Sequence, residues 1–260
     1  METLKKARSA FALLLVLGIF VFPGTPVFYL FVRPLIWLRP TKRRALTSWF
    51  MKAMSFGITR GFMLGGAKFR IGGRIPTGDG GALIVMNHQS QIDIPMAALM
   101  GDPQVPTFVP RAKYAKWIPL VSACIRLLEC PIVDPKRDAK SAVEAMRKAA
   151  RRETHALLIY PEGHRSVDGE LKPFRSAGLK AVLEERRMPV YLVVSDGYGE
   201  ARRLKDFIFS VHRMRCHAEV MGPFEAPERP EEFDAAIAGW RQRMIERLAE
   251  MREKPQSADA

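Results

Sequence analysis

A histidine and an aspartate five residues apart, His88 and Asp93, are the first residues in this sequence whose types and spacing could carry out chemistry. They directly follow the apolar run Ala82 to Met86, which is typical of a buried strand. A neutral imidazole can accept a hydroxyl proton near pH 7, and a carboxylate on its second nitrogen fixes the tautomer and stabilises the imidazolium. The pair is therefore a candidate general base with its partner, although this spacing also arises by chance.

A second polar block follows the apolar run Ala156 to Tyr160 and reads Pro-Glu-Gly-His-Arg-Ser over residues 161–166. In α/β sheets, ligands bind beyond the carboxyl ends of the strands. Two polar blocks that each follow a strand are therefore expected to meet at one site. Arg165 is the predicted anion clamp, because a guanidinium can hold a phosphate or carboxylate through two parallel hydrogen bonds.

Together the two blocks resemble the glycerolipid acyltransferases, the family that includes the 1-acyl-glycerol-3-phosphate acyltransferases. The matching residues are His88, Asp93, Glu162, Gly163 and Arg165. Two weaker blocks lie in the family's order at residues 108–134 and 188–194, so the likeness covers roughly residues 82–199. The resemblance implies an α/β fold, with a mixed sheet flanked by helices. It also implies transfer of a fatty acyl chain from acyl carrier protein or coenzyme A to a lysophospholipid.

The predicted site follows from the blocks and the resemblance. His88 is expected to be the base, and Asp93 is expected to orient and charge it, as a carboxylate does beside the imidazole of a serine hydrolase. The predicted substrate-binding residues are Glu162, Gly163, Arg165, Arg111 and Ser166. Direct transfer is expected, since the sequence has no Gly-x-Ser-x-Gly elbow for an acyl-serine intermediate. No metal or organic cofactor is implied.

The sequence departs from the family's pattern after Asp134. Pro135 stands where the family usually has an arginine associated with the acceptor's phosphate, and Lys136 and Arg137 follow it. The acceptor is therefore left open between lysophosphatidic acid and another lysolipid, such as a lyso-ornithine lipid.

Composition limits the number of domains and the kind of partner. The 260 residues have 48% apolar side chains and a formal net charge of +14. This length allows one α/β core, and the charge predicts an anionic partner, whether lipid, nucleic acid or acidic protein. The three cysteines lie in apolar or strand-like surroundings and are predicted to be reduced core residues: Cys124, Cys130 and Cys216.

The N-terminus favours a membrane as the anionic partner. Residues 9–22 and 27–38 are apolar stretches separated by Pro23-Gly24-Thr25-Pro26, and basic residues flank both ends. Each stretch is shorter than the about 20 residues that a spanning helix needs, and the Pro-Gly break predicts a turn. We therefore expect a membrane-embedded helical hairpin that enters one leaflet from the cytoplasmic face of the inner membrane. A cleaved signal peptide and a single tilted span are the alternatives.

The remaining patterns predict one acyltransferase domain over residues 45–252, between an anchor at 1–44 and a disordered tail at 253–260. Apolar residues at helical spacing predict helices within 44–62, 139–152, 174–187 and 233–251. Residues 190–194 and 207–220 have the pattern of strands. This alternation puts Cys216 and His217 on opposite faces, which argues against a zinc site with His212.

Two other classes of function stay open at this point. A non-catalytic lipid-binding protein on the same scaffold would leave the His88–Asp93 pair and Arg165 without a use. A nucleic-acid-binding protein would explain the charge but not the apolar N-terminus, and its binding would be salt-sensitive. The preferred partners are an acyl thioester, a lysophospholipid and anionic membrane lipids, and not nucleic acid.

Overall fold

A mixed six-stranded sheet lies at the centre of the computed structural model, which describes residues 1–78, 80–134, 138–152, 154–166, 168–199 and 206–253. Its strands are β1 (Lys68–Gly72), β3 (Leu83–Met86), β5 (Thr107–Phe108), β6 (Leu157–Ile159), β7 (Val190–Asp196) and β8 (Arg215–Phe224). Their order across the sheet is β1-β8-β7-β3-β6-β5. Two further strands, β2 (Ile75–Pro76) and β4 (Gly101–Asp102), form a small parallel sheet.

The four strands from β7 to β5 run parallel, whereas β8 is antiparallel to β7 and parallel to β1. The predicted mixed sheet flanked by helices is therefore confirmed. Every residue of β3 is fully buried, because helices cover both faces of a parallel sheet and its central strands become continuously apolar. Leu83 and Val85 face one helical layer, and Ile84 and Met86 face the other.

The helices are α1 (Glu2–Leu38), α2 (Arg43–Leu64), α3 (Asp93–Met100), α4 (Tyr114–Trp117), α5 (Pro119–Leu127), α6 (Ala139–Arg152), α7 (Ser176–Glu185), α8 (Phe207–Ser210) and α9 (Phe233–Glu253). The helices α1, α2 and α3 pack on one face of the sheet, and α6, α7 and α9 pack on the other. The helices predicted within 44–62, 139–152, 174–187 and 233–251 are confirmed, with ends that differ by a few residues.

The strand predicted over residues 207–220 is wrong in its first part. Residues Phe207–Ser210 form α8, a 3-10 turn follows at Val211–Arg213, and β8 begins at Arg215. Phe207 and Val211 are both buried, and the Phe207 ring stacks on Phe62 at 5.4 Å. Two residues four positions apart lie on the same face of a helix, so the burial of both favours a helix here. This packing prevails over the strand-like alternation of apolar and polar residues in the sequence.

The turn predicted at Pro23 to Pro26 is also wrong. Helix α1 is continuous from Glu2 to Leu38, and Gly24 and Thr25 both have right-handed helical backbone angles. Two π-helical segments, Phe20–Gly24 and Phe28–Val32, widen the helix beside its prolines. The hydroxyl of Thr25 donates to the Phe20 carbonyl at 3.2 Å. Wider turns and threonine hydroxyls can satisfy the carbonyls that a proline leaves without a donor, so the helix does not break.

The π-helical segments keep one face of α1 against the domain. Its inward positions recur every four residues, at Ala12, Val16, Phe20, Gly24, Phe28, Val32 and Ile36. A regular α-helix has 3.6 residues per turn and would rotate these positions away from the domain, whereas occasional wider turns raise the mean period towards four. The inserted π-turns therefore have a packing role.

A helical hairpin does exist, but it is formed by α1 and α2, with the connection at residues 39–42. Gly61 in α2 and Gly65, the residue after it, allow close contact with α1. A Cβ atom on Gly61 would lie 2.6 Å from Val16 Cγ2, and one on Gly65 would lie 2.6 Å from Ala12 Cβ. Ala12 and Val16 belong to the main core beside the sheet. Helix α1 and the domain therefore share one core, and the predicted boundary at residue 44 falls inside the hairpin.

Three further predictions concern α1, the tail and the cysteines. Among the described residues, α1 alone is long and apolar enough to cross a membrane, judged by length and composition. Of the predicted tail, Glu253 ends α9 and residues 254–260 lie outside the described part. The cysteine prediction is confirmed, because Cys124, Cys130 and Cys216 are buried and free.

Candidate active site

The two polar blocks meet at one edge of the sheet. Strands β3 and β6 are parallel neighbours, so the residues that follow them lie side by side. The His88 amide donates to Glu162 Oε1 at 2.8 Å, and the Ser166 amide donates to the His88 carbonyl at 2.7 Å. The second block therefore holds the peptide groups on both sides of His88.

The His88 ring contacts the Asp93 carboxylate, with 2.8 Å between Nδ1 and Oδ2. Asp93 is fully buried in the first turn of α3, whereas the His88 side chain is 18% exposed. In the neutral ring, this contact places the proton on Nδ1 and leaves Nε2 as the acceptor. Nε2 has no hydrogen-bond partner within the described part of the chain. A general base needs a ring nitrogen that is free to accept a proton in this way.

Asp93 is fixed by a network of five donors. Its Oδ2 also accepts the amides of Gln89 and Ser90, each at 2.8 Å. Its Oδ1 accepts the Ser195 hydroxyl at 2.9 Å and the Tyr198 hydroxyl. Burial, together with the nearby charge of Asp93, raises the pKa of Tyr198 well above its usual value, so this phenol remains a donor at neutral pH. The carboxylate therefore has one position and one orientation.

Sequence reasoning missed the residues that support this network from β7. Ser195 lies in the last part of β7 and Tyr198 follows this strand, which is the third whose carboxyl end reaches this edge. The Asn87 side chain pairs with the Ser195 backbone, donating to its carbonyl at 2.9 Å and accepting its amide at 2.8 Å. The available signal was a set of polar residues directly after the apolar run Val190 to Val194.

Glu162 is engaged with the backbone rather than with another side chain. It is 2% exposed, and its Oε2 accepts the Lys172 amide at 2.8 Å while its Oε1 accepts the His88 amide. Burial raises the pKa of Glu162, and the two backbone N–H groups oppose this shift. These contacts give Glu162 a positioning function for the His88 loop. Substrate binding by Glu162 stays a prediction.

Gly163 lies between two arginines. It has a φ of +72°, in the left-handed region that favours glycine. Arg111 Nη2 donates to its carbonyl at 2.5 Å. On its other side, a Cβ atom would lie 3.0 Å from Arg175 Cδ and 3.1 Å from Arg175 Nε. Within the described ranges, neither guanidinium has a carboxylate partner. Two cations at one turn make the local electrostatic potential positive, which favours an anion nearby.

The other predicted residues of this block have different surroundings. Arg165 is half-buried, and His164 beside it is exposed. The Ser166 hydroxyl donates to Asp168 at 2.8 Å and accepts the Gly169 amide at 3.1 Å, so it stabilises its own loop. Residues 135–137, where the sequence departs from the family's pattern, lie outside the described residues.

No group of three or more potential metal ligands occurs in the part of the chain that the structure describes. His212 was considered as a zinc ligand together with Cys216 and His217. Its Nδ1 lies 2.9 Å from the Ser9 hydroxyl. The Nε2 atom of His217 lies 3.0 Å from Glu219 Oε1.

Comparisons with known proteins agree with this fold. Residues 68–195 match the family model described as Acyltransferase. The structure is similar to that of PlsC from Thermotoga maritima, a 1-acyl-sn-glycerophosphate (LPA) acyltransferase, with a TM-score of 0.72 and 19% sequence identity. The match covers 99% of this chain and 100% of that chain. No curated protein sequence matches this chain.

Proposed function

The chain carries a domain of the acyltransferase family over residues 68–195, and we propose that it transfers a fatty acyl group from a thioester to the free hydroxyl of 1-acyl-glycerol-3-phosphate, forming phosphatidic acid. The observation that carries the proposal is the 2.8 Å contact between His88 and the buried Asp93, at the edge where the two polar blocks meet. The choice of acceptor is supported by the similarity of this fold to that of PlsC from Thermotoga maritima, an LPA acyltransferase.

In the proposed reaction, the acceptor hydroxyl lies against His88 Nε2. The imidazole takes the hydroxyl proton as the oxygen attacks the thioester carbonyl, and a carbon–oxygen bond forms. Asp93 stabilises the imidazolium that results. Collapse of the tetrahedral intermediate breaks the carbon–sulfur bond, and the thiol leaves with the proton from His88. The donor is the acyl thioester of acyl carrier protein or of coenzyme A, and no covalent acyl-enzyme is required.

The charges near Gly163 support an anionic acceptor. Arg111 and Arg175 flank this glycine without a carboxylate partner among the described residues, and Arg165 lies two residues further along the same loop. A phosphate would neutralise these cations and could be held by two parallel hydrogen bonds. Lysophosphatidic acid supplies a terminal phosphate, whereas a lyso-ornithine lipid does not. We therefore place lysophosphatidic acid first and lyso-ornithine lipid second.

We expect the Arg165→Lys variant to raise the KM for lysophosphatidic acid about tenfold, because the ammonium group of lysine cannot form the two parallel hydrogen bonds of a guanidinium. The measurement is initial rate against acceptor concentration for lysophosphatidic acid, lyso-ornithine lipid and lysophosphatidylcholine. Arg151→Lys is the matched control, since Arg151 pairs with Glu185 on the surface. A wild-type preference for either acceptor without a terminal phosphate would refute the choice of lysophosphatidic acid. An unchanged KM in Arg165→Lys would show that Arg165 does not bind it.

We also propose that the hairpin of α1 and α2 attaches the protein to one leaflet of an anionic membrane, on the cytoplasmic side. The outward face of the hairpin exposes large apolar side chains: Phe11, Leu14, Phe22, Leu30, Phe31, Trp37, Trp49 and Phe56. Basic residues lie at both ends of α1, including Lys5, Lys6, Arg39 and Lys42. Apolar burial supplies most of the binding free energy in such anchors, and each nearby basic residue adds about 1 kcal/mol with anionic lipid.

A variant that carries Phe22→Ser, Leu30→Ser, Phe31→Ser and Trp37→Ser tests this attachment without touching the face of α1 that packs on the domain. We expect it to stop floating with phosphatidylglycerol-containing vesicles in high salt, because each lost apolar side chain removes about 1.5–3 kcal/mol of burial. Circular dichroism should show an unchanged fold. Co-flotation equal to that of the wild-type protein would contradict the proposed lipid-facing surface.

A further inference from the structure

The ring of Tyr160 lies on the face of the His88 imidazole. The two ring centroids are 4.2 Å apart, and the planes are inclined by 23°, which is a stacked arrangement. Tyr160 is the first residue after β6, directly before Pro161. His88 is therefore held at its edge by Asp93 and on its face by Tyr160.

These two contacts restrain different motions of the imidazole. The Nδ1 to Oδ2 hydrogen bond fixes the distance to Asp93, but a single hydrogen bond leaves the ring free to rock about its axis. A stacked aromatic ring removes that freedom, because rocking would collide with its face. Reacting groups must be held within a fraction of an ångström and a few tens of degrees of productive geometry.

We infer that Tyr160 is a positioning residue for the general base, which fixes the plane of the His88 imidazole. The inference rests on the proposed function, since Tyr160 acts through His88. An aromatic face attracts a cation, so the imidazolium formed during proton transfer is better stabilised with the ring present.

The hydroxyl of Tyr160 is not needed for this role. Its oxygen is buried and has no hydrogen-bond partner in the described part of the structure. The ring alone makes the stacked contact. Tyr160→Phe should therefore keep the contact and remove a buried polar atom, which raises the melting temperature by about 2–4 °C.

The experiment compares Tyr160→Leu with Tyr160→Phe in the full-length protein. We expect the leucine variant to lower kcat by about 10-fold or more, with acceptor KM unchanged, because misplacement of the base impairs proton transfer. The phenylalanine variant should keep the wild-type kcat.

A second readout does not depend on activity. The stacked ring shifts the His88 Hε1 resonance upfield, and this shift should persist in Tyr160→Phe and disappear in Tyr160→Leu. If the wild-type protein transfers no acyl group, the proposed function fails while the resonance still tests the contact. Equal kcat in the two variants would overturn the positioning role. An upfield shift that remains in the leucine variant would overturn the stacked contact itself.

Discussion

Replacing His88 by alanine is expected to lower kcat by roughly 10²- to 10⁴-fold, which is the range that general base catalysis contributes. The reason is the geometry of the ring, whose Nδ1 is tied to Asp93 and whose Nε2 has no partner in the described residues. The side chain is 18% exposed, and among the described residues its ring nitrogens contact Asp93 alone, so the fold should persist. Steady-state rates with a labelled thioester measure the loss.

His155→Ala is the matched control for this substitution. His155 precedes β6, at the opposite end of the strand from the site. We expect its kcat to equal that of the wild-type protein. If His88→Ala retained near-wild-type turnover while its melting temperature was unchanged, His88 would not be the base, and His164 in the neighbouring loop would become the residue to test.

Asp93→Asn is expected to lower kcat by about 10²-fold, a loss typical of removing one electrostatic stabiliser from an active site. Oδ2 of Asp93 accepts three N–H groups, from His88, Gln89 and Ser90. The amide oxygen of asparagine should take this position, and the amide nitrogen should face the Ser195 and Tyr198 hydroxyls, which can rotate to accept. The histidine tautomer would then be kept while the charge that stabilises the imidazolium is lost.

This substitution separates the charge of Asp93 from its structural role, provided that the fold is checked. Asp93→Ala would leave buried donors without acceptors and is expected to lower the melting temperature sharply. Asp234→Asn, at an exposed surface aspartate paired with Lys180, is the control for loss of a negative charge. Wild-type kcat in Asp93→Asn would show that the carboxylate's charge plays no part in proton transfer.

The contact between His88 and Asp93 could be predicted from the sequence because its geometry is local. Five residues from His88 to Asp93 are enough for the chain to leave β3, turn, and place the carboxylate in the first turn of α3. The buried strands are equally local, since continuous apolar runs of four to six residues are typical of a parallel sheet covered on both faces. The meeting of the two blocks followed from a general rule about strand ends.

The residues that hold His88 and Asp93 in place do so through contacts between distant parts of the chain, which local sequence patterns cannot predict. Ser195 and Tyr198 reach Asp93 across more than 100 residues of chain, through the register between β3 and β7. The backbone contacts of Glu162 and the stack of Tyr160 on His88 likewise need the pairing of β3 with β6. The sequence predicted that Glu162 contacts the substrate. It could not show that the Glu162 carboxylate accepts hydrogen bonds from two backbone amides.

Helix α1 shows how packing can prevail over a local rule. Two prolines and a glycine within four residues are a strong signal for a turn. The structure instead widens the helix at two π-helical segments and keeps its inward face on α2 and the sheet. The period of four in its buried positions could not be recognised in the sequence, because most residues between these positions are apolar as well.

Acyl transfer itself is the most direct test of the account. Purified protein in vesicles would be incubated with an acyl thioester and lysophosphatidic acid, with free thiol measured by a colorimetric reagent and lipid products by mass spectrometry. We predict equal amounts of thiol and phosphatidic acid, without free fatty acid and without a mass increase on the protein. Release of free fatty acid alone, or no thiol release with any lysolipid acceptor, would contradict the proposed reaction.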